Sequence, residues 1–195
     1  MRRPVLIALV VLVAAIGAGA AWWYGQPIPQ RAKRSRAARY RAPVAEVWAA
    51  IADIGGWAAW QGALSAVEPQ PPLRGHAVWR EISRDGSGVT AETVEVLEGR
   101  RLVRCVVDQG GAFGGCWTWE VAARGEESAA VITEALTIHS RWFALQQPPE
   151  ARAARLDAIL TDLGARLGAE PYRRGDTMVD VSRPLPEEGG AGGQQ

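Results

Sequence analysis

Cysteine, histidine and phenylalanine each occur only twice in this 195-residue chain, and its formal net charge is only +1. Two cysteines build neither a disulfide framework nor a four-ligand zinc site. The two histidines, His76 and His139, are far apart, and no Asp, Glu or His grouping has a metal-binding spacing such as H-x-x-x-H. A charge this close to zero removes the electrostatic drive toward nucleic acid that a basic domain carries, so no nucleic-acid partner is expected. No G-x-S-x-G elbow or other activated nucleophile is present. The GGAFGG run at 110–115 lacks the lysine and the strand-to-helix context of a phosphate-binding loop, and reads as a hairpin turn. No internal repeat is visible, and no cofactor is expected.

Tryptophan is abundant, nine residues against two phenylalanines, which points to an apolar interior built from large rings. Apolar residues also dominate the N-terminus. Arg2 and Arg3 precede an unbroken run from Pro4 to Tyr24, about the length a helix needs to cross hydrocarbon. Trp22, Trp23 and Tyr24 close the run in the manner of an interfacial aromatic belt. Residues 1–25 are therefore a membrane anchor or a signal peptide, since Ala18-Gly19-Ala20 has the form of a cleavage site. Continuation of the apolar character through Trp22 and Trp23 favours the anchor.

The arginines ahead of the run place the N-terminus inside the cell and the rest outside. Arg31, Lys33, Arg34 and Arg36 pull the other way, from several residues beyond the membrane edge. The expected location is the cell membrane, single-pass, with an extracytoplasmic domain, or a secreted or periplasmic protein if cleavage occurs after Ala20. Pro27 and Pro29 stiffen the 26–33 linker. The glycine-rich polar stretch at 171–195 cannot support a core and reads as a disordered tail.

The domain between them, 34–170, is organised around Pro43–Trp60. Val44, Val47, Trp48 and Ile51 fall at helical spacing, Pro43 suits a first turn, and Asp53 with Gly55-Gly56 ends the helix before a short turn carrying Trp57 and Trp60. A first strand is expected at 33–41, ahead of this helical pair. After the pair, a short strand at 63–68 is expected to stop at the Pro69–Pro72 cluster. Alternating segments at 75–84, 89–98, 101–108, 116–123 and 129–140, separated by Asp/Gly/Ser turns, then predict an antiparallel meander. Pro148-Pro149 opens the longest helix, to about Gly168. Leu156, Ile159, Leu160, Leu163 and Leu167 form its apolar stripe, with Arg152, Arg155, Asp162 and Arg166 facing away. Such a stripe needs a broad apolar partner, and the hollow of a curved sheet is the surface large enough.

Cys105 and Cys116 sit on the two arms of one hairpin. They bridge in an oxidising compartment if the register centres on Gly110-Gly111, and otherwise are two small buried strand residues.

The opening Ala42, Pro43, Val47, Trp48, Ile51, Asp53, then Trp57 and Trp60, followed by strands, resembles the SRPBCC superfamily, which includes START-like lipid-transport proteins and polyketide cyclases. Phe113 to Glu120, FGGCWTWE, is similar to the F-G-G-T-W-T-W/Y-E segment of its membrane-anchored members, with Cys116 in place of threonine. Ile132-Thr133-Glu134 resembles their T-x-T-E strand. Ser140 to Phe143 matches their N-P-x-F-R-F-type turn only loosely. The resemblance covers about Ser35 to Glu170. It implies an α+β helix-grip fold: a curved antiparallel sheet of about seven strands wrapped around a long C-terminal helix, with two short helices after strand 1.

It also implies a cavity between sheet and helix for a lipid or other hydrophobic small molecule. Its lining is expected to come from some of Trp48, Trp79, Trp117, Trp119, Ile132, Leu136, Leu156 and Leu160. Glu134 interrupts an apolar strand face and needs a partner, for which Arg80 is the candidate. The pair is either a polar anchor for a ligand or an internal brace of the sheet. Three functions follow: a membrane-tethered carrier or binder, a cyclase/aromatase-like enzyme on a polyketide-type substrate, or a structural or assembly protein. The absence of a His/Asp/Tyr constellation favours the first.

Overall fold

The computed structural model describes residues 3–25 and 30–169, with side chains of the first helix described over 9–23. That helix, α1, spans Arg3–Gly25. Among the described residues no helix is long and apolar enough to cross a membrane. The expected tail, and residues 26–29 of the expected linker, lie outside the described residues, whereas 30–33 of that linker belong to a strand.

The remaining elements, in order, are β1 (Gln30–Tyr40), α2 (Val44–Ala52), a 3₁₀ turn (Ile54–Ala59), β2 (Leu64–Leu73), β3 (His76–Ser83), β4 (Gly88–Leu97), β5 (Arg101–Val106), β6 (Phe113–Arg124), β7 (Glu127–Ile138), α3 (Arg141–Gln146) and α4 (Pro149–Arg166). The seven strands form one sheet in the order β1-β7-β6-β5-β4-β3-β2, every neighbouring pair antiparallel. Only the β1–β7 pairing is not a hairpin. The connection from β1 to β2, through α2 and the 3₁₀ turn, carries the chain from one edge of the sheet to the other. The expected α+β architecture, a seven-stranded antiparallel sheet with a long C-terminal helix, is the one observed.

Three differences from the expected elements have local causes. Strand β2 runs through Pro69, Pro71 and Pro72 because it lies at the sheet's edge, where a missing N–H leaves no partner unsatisfied. β6 starts at Phe113, so the second half of the GGAFGG run is strand. Gly115 there has φ +123°, and a Cβ on it would fall onto the Ala135 carbonyl of β7; glycine is what lets the two backbones pass so closely. Finally, the segment after β7 forms a short helix, α3, whose N-cap Ser140 hydroxyl accepts from the Phe143 amide at 3.3 Å.

The core lies between the sheet, α2 and α4. Val47, Trp48 and Ile51 of α2 are buried against Leu102, Trp119, Ile132 and the α4 residues Leu156, Leu160 and Leu163. Two polar side chains carried inward here find partners. The Tyr40 hydroxyl donates to the Leu160 carbonyl at 2.7 Å, tying β1 to α4. Trp57 Nε1 donates to the Ile51 carbonyl at 3.0 Å across the break after α2. The break itself is closed by the Asp53 carboxylate, which accepts from the Gly56 amide at 3.2 Å. Cys105 and Cys116 face each other across β5 and β6 and are joined by a disulfide.

Candidate functional site

Strand pairing aligns side chains into rows across the sheet. One row on the face toward α4 is Arg36, Ile132, Trp119, Leu102. The next, two residues along each strand, is Arg34, Glu134, Trp117, Arg104. A cleft opens where these rows meet α4. Its floor is Trp117, Trp119, Ile132 and Arg104; Glu81 of β3 and Trp57 with Gln61 close one side, and Arg155, Leu156 and Ile159 of α4 form the roof. The space open to water centres is about 40 Å³, room for a few waters.

Arg104 is the most constrained polar group in the cleft. It is 2% exposed, pairs with Glu81, donates to the Ala91 carbonyl at 3.3 Å, and lies over the Trp57 ring at 4.9 Å. Its Nε has no partner among the described residues. The guanidinium is thus held as a fixed plate by an ion pair, a backbone acceptor and an aromatic face. Arg155 sits at the mouth, on the exposed side of α4. Its charge reaches the β3–β4 turn, where hydrogen bonds from the Ser87 hydroxyl and amide, with Arg155 adding, hold the Asp85 carboxyl below its ordinary range.

Behind Trp117 lies a second charged cluster. Glu134 accepts from Trp117 Nε1 at 3.2 Å and from Arg152 at 3.3 Å, both members of that ion pair 5% exposed. Burial pushes the Glu134 carboxyl above its ordinary value of 4.5, and the charge of Arg152 with the Trp117 hydrogen bond opposes this only in part. Arg152, expected to face solvent, turns inward and is the cation within ion-pair distance of Glu134 among the described residues, with Arg155 and Arg34 acting on it more weakly. Arg80 is on the wrong face to serve: β3 buries Val78, directs Trp79 and Glu81 toward α4, and leaves Arg80 exposed.

Of the expected lining, the cleft brings together Trp117, Trp119, Ile132 and Leu156. Trp48 is core, its Nε1 donating to Glu98 at 2.6 Å. Trp79 packs beside the core cluster, while Leu136 and Leu160 are buried outside the cleft. Glu134 is screened from the cleft by Trp117 and Arg152. The sequence reading missed Trp57, Gln61, Glu81, Arg104, Arg155 and Ile159 as cleft residues. Arg104 carried a usable signal, since it interrupts the Leu102, Val106 face as Glu134 interrupts Ile132, Leu136. Gln61 and Arg155 carried none.

Sequence comparison matches residues 31–168 to a family described as polyketide cyclase/dehydrase and lipid transport. No curated protein matches the chain. Among solved structures, the ZhuI aromatase/cyclase from Streptomyces sp. R1128 is similar at 16% identity, TM-score 0.56, over 70% of this chain and 96% of that one. A START superfamily protein from Mycobacterium smegmatis is similar at 10% identity, TM-score 0.59, over 70% and 97%. A protein from Thermus thermophilus is similar at 17% identity, TM-score 0.57, over 70% and 97%. At these identities the likeness is one of fold.

Proposed function

The chain belongs to the polyketide cyclase/dehydrase and lipid transport family, and on that premise we propose that it is a membrane-tethered domain that binds a hydrophobic small molecule or lipid in the cleft between sheet and α4. The observation that carries this reading is the cleft itself: tryptophan faces and the Leu156–Ile159 edge of α4 surround one pre-fixed guanidinium. Largely apolar walls with a few polar groups, one of them the fixed Arg104 guanidinium beside Glu81, are what an amphipathic guest needs.

Space for a few waters does not hold a lipid. A large guest therefore enters as the N-terminal half of α4 lifts, a movement resisted by Arg152–Glu134 and by Arg36–Asp157 at 3.3 Å. The alternative, a cyclase/aromatase-like enzyme, needs a group in the cleft ready to move protons. Glu81 is committed to Arg104, and Glu134, the carboxyl whose pKa is raised, is sealed behind Trp117. This favours binding over catalysis.

The tether is α1 with its apolar run, and the domain is extracytoplasmic. The Cys105–Cys116 disulfide supports that side of the membrane, since such bonds persist in oxidising compartments. Native mass spectrometry of the full chain released from its host membrane tests the reading. A co-retained hydrophobic molecule is expected, and Ile159→Trp, which fills the roof of the cleft from a half-buried position, reduces its retention several-fold without shifting Tm. A chain that comes off the membrane empty and binds no parinaric acid overturns it.

A further inference from the structure

The short helix α3 has no buried residue, and two of its large apolar side chains, Trp142 and Leu145, are 61% and 58% exposed. Exposure of that kind on an isolated loop would say little. Here, however, α3 touches α1, and the Arg141 guanidinium lies over the Trp23 ring at 3.9 Å. The apolar face of α3 thus continues the apolar surface of α1, whose end carries Trp22 at 67% and Trp23 at 56% exposed. Whatever surrounds the aromatic end of α1 also meets Trp142 and Leu145. A tryptophan, a leucine and an arginine at such a boundary suit the headgroup region of a bilayer, where the ring and aliphatic chain sink and the guanidinium reaches phosphate.

The other side of α3 leads inward. Phe143 stacks on Phe113 of β6 at 4.5 Å, and Phe113 meets Trp117 edge-on at 6.3 Å. Trp117 is both a wall of the cleft and the donor to Glu134. A continuous ladder of rings therefore joins the exposed helix to the binding cleft.

We propose that α3 is a second membrane contact: Trp142 and Leu145 insert into the bilayer interface beside the end of α1, turning the Phe113–Trp117 end of the cleft toward the lipid from which its guest is drawn. This rests on the tether reading above and goes beyond it, because a tethered domain on a linker has no required orientation, whereas this contact gives it one.

Depth-dependent quenching tests the contact. Because the native cysteines are bonded to each other, a single added cysteine takes an environment-sensitive label uniquely under non-reducing conditions. The full chain, labelled at Leu145→Cys, is reconstituted into phosphatidylcholine/phosphatidylglycerol vesicles whose acyl chains are brominated near the headgroup. Ile16→Cys, with deep bromines, reports whether α1 is inserted. Leu97→Cys is the off-membrane control: it is 51% exposed but sits in the hairpin at the end of the sheet remote from Phe113, since Arg101 pairs with Glu120.

The expected result is quenching at 145 as strong as at Trp22→Cys and several-fold stronger than at 97. Quenching at 16 with none at 145 leaves the tether standing and overturns this inference, assigning the exposed face of α3 to a protein partner instead. No quenching at either position overturns the tether, and the inference with it.

Discussion

Two neighbouring rows of side chains cross the same face of the same sheet, yet they have become different things. The Ile132, Trp119, Leu102 row is 3%, 2% and 2% exposed and, away from the cleft, packs as ordinary core under α2 and α4. One step along the strands, Arg34, Glu134, Trp117 and Arg104 carry charge into the same interior. Leu102 and Arg104 are separated by a single residue of β5. The difference lies in what α4 sets against each row: Leu156, Leu160 and Leu163 along most of its buried face, but Arg152 and Arg155 toward its N-terminus. A polar row becomes a site when the facing helix sets charged side chains rather than leucines against it and leaves a gap beside them.

Substitutions in the two rows are therefore expected to fail differently. The largest effect is expected at the charged row. Arg152→Ala strands Glu134 as an uncompensated buried carboxylate, a loss of about 3–5 kcal/mol read by urea denaturation. Removing both charges in Arg152→Met with Glu134→Gln should restore most of that stability. A double variant as unstable as the single one would show that packing around Arg152, rather than its charge, holds this end of α4.

Leu102→Ala, in the apolar row, should cost roughly 2–4 kcal/mol through the cavity it leaves, with no single second-site charge change that rescues it. Tyr40→Phe removes the hydroxyl that joins β1 to the Leu160 carbonyl and should cost about 1 kcal/mol. A larger loss would mean that this bond, more than the leucines, positions α4.

The smallest effect expected is in pH dependence. Burial raises the folded-state pKa of Glu134 above its ordinary 4.5, so between those two values the folded chain holds a proton that the unfolded chain has released. The contribution of this group to stability therefore falls as pH rises through that window. Arg152→Met should deepen the fall, because its charge is the main force opposing the shift. A stability that rises with pH across the same window in wild type, and not in Glu134→Gln, would reverse the assignment.

Much of the architecture was legible from local pattern. The period-2 segments and their turns located the strands, and the leucine spacing from Leu156 to Leu167 located α4 and its buried face. The arrangement Pro43, Val47, Trp48, Ile51 marked α2 for the same reason. Patterns that depend on position within the sheet were misread. Pro69 to Pro72 looked like a stop because prolines end central strands, and only the strand order shows β2 to be an edge. The Phe113 end of β6 looked like turn because glycine usually means one, whereas Gly115 is there for a close passage beside Ala135.

The site was harder to read than the fold. Alternation shows that Glu134 and Arg104 point inward, but not what meets them: Arg152 and Arg155 lie on a different element, and an arginine near the start of a helix looks the same in sequence whether it faces water or a buried carboxylate. Likewise Trp48, Trp57, Trp79 and Trp119 are all inward-facing rings, and whether one becomes core or wall depends on the few ångströms between facing surfaces.

Residue by residue, then, the order of amino acids determined which segments are strands and helices and which side of each is apolar, because those depend on periods of two and 3.6 within one element. Tertiary structure alone decided that Arg152 is the partner of Glu134, that Arg104 and not Arg80 is the fixed cation, and that α3 stands against α1. Each of those is a distance between elements far apart in the chain, set by strand register and helix docking, and no local period encodes it.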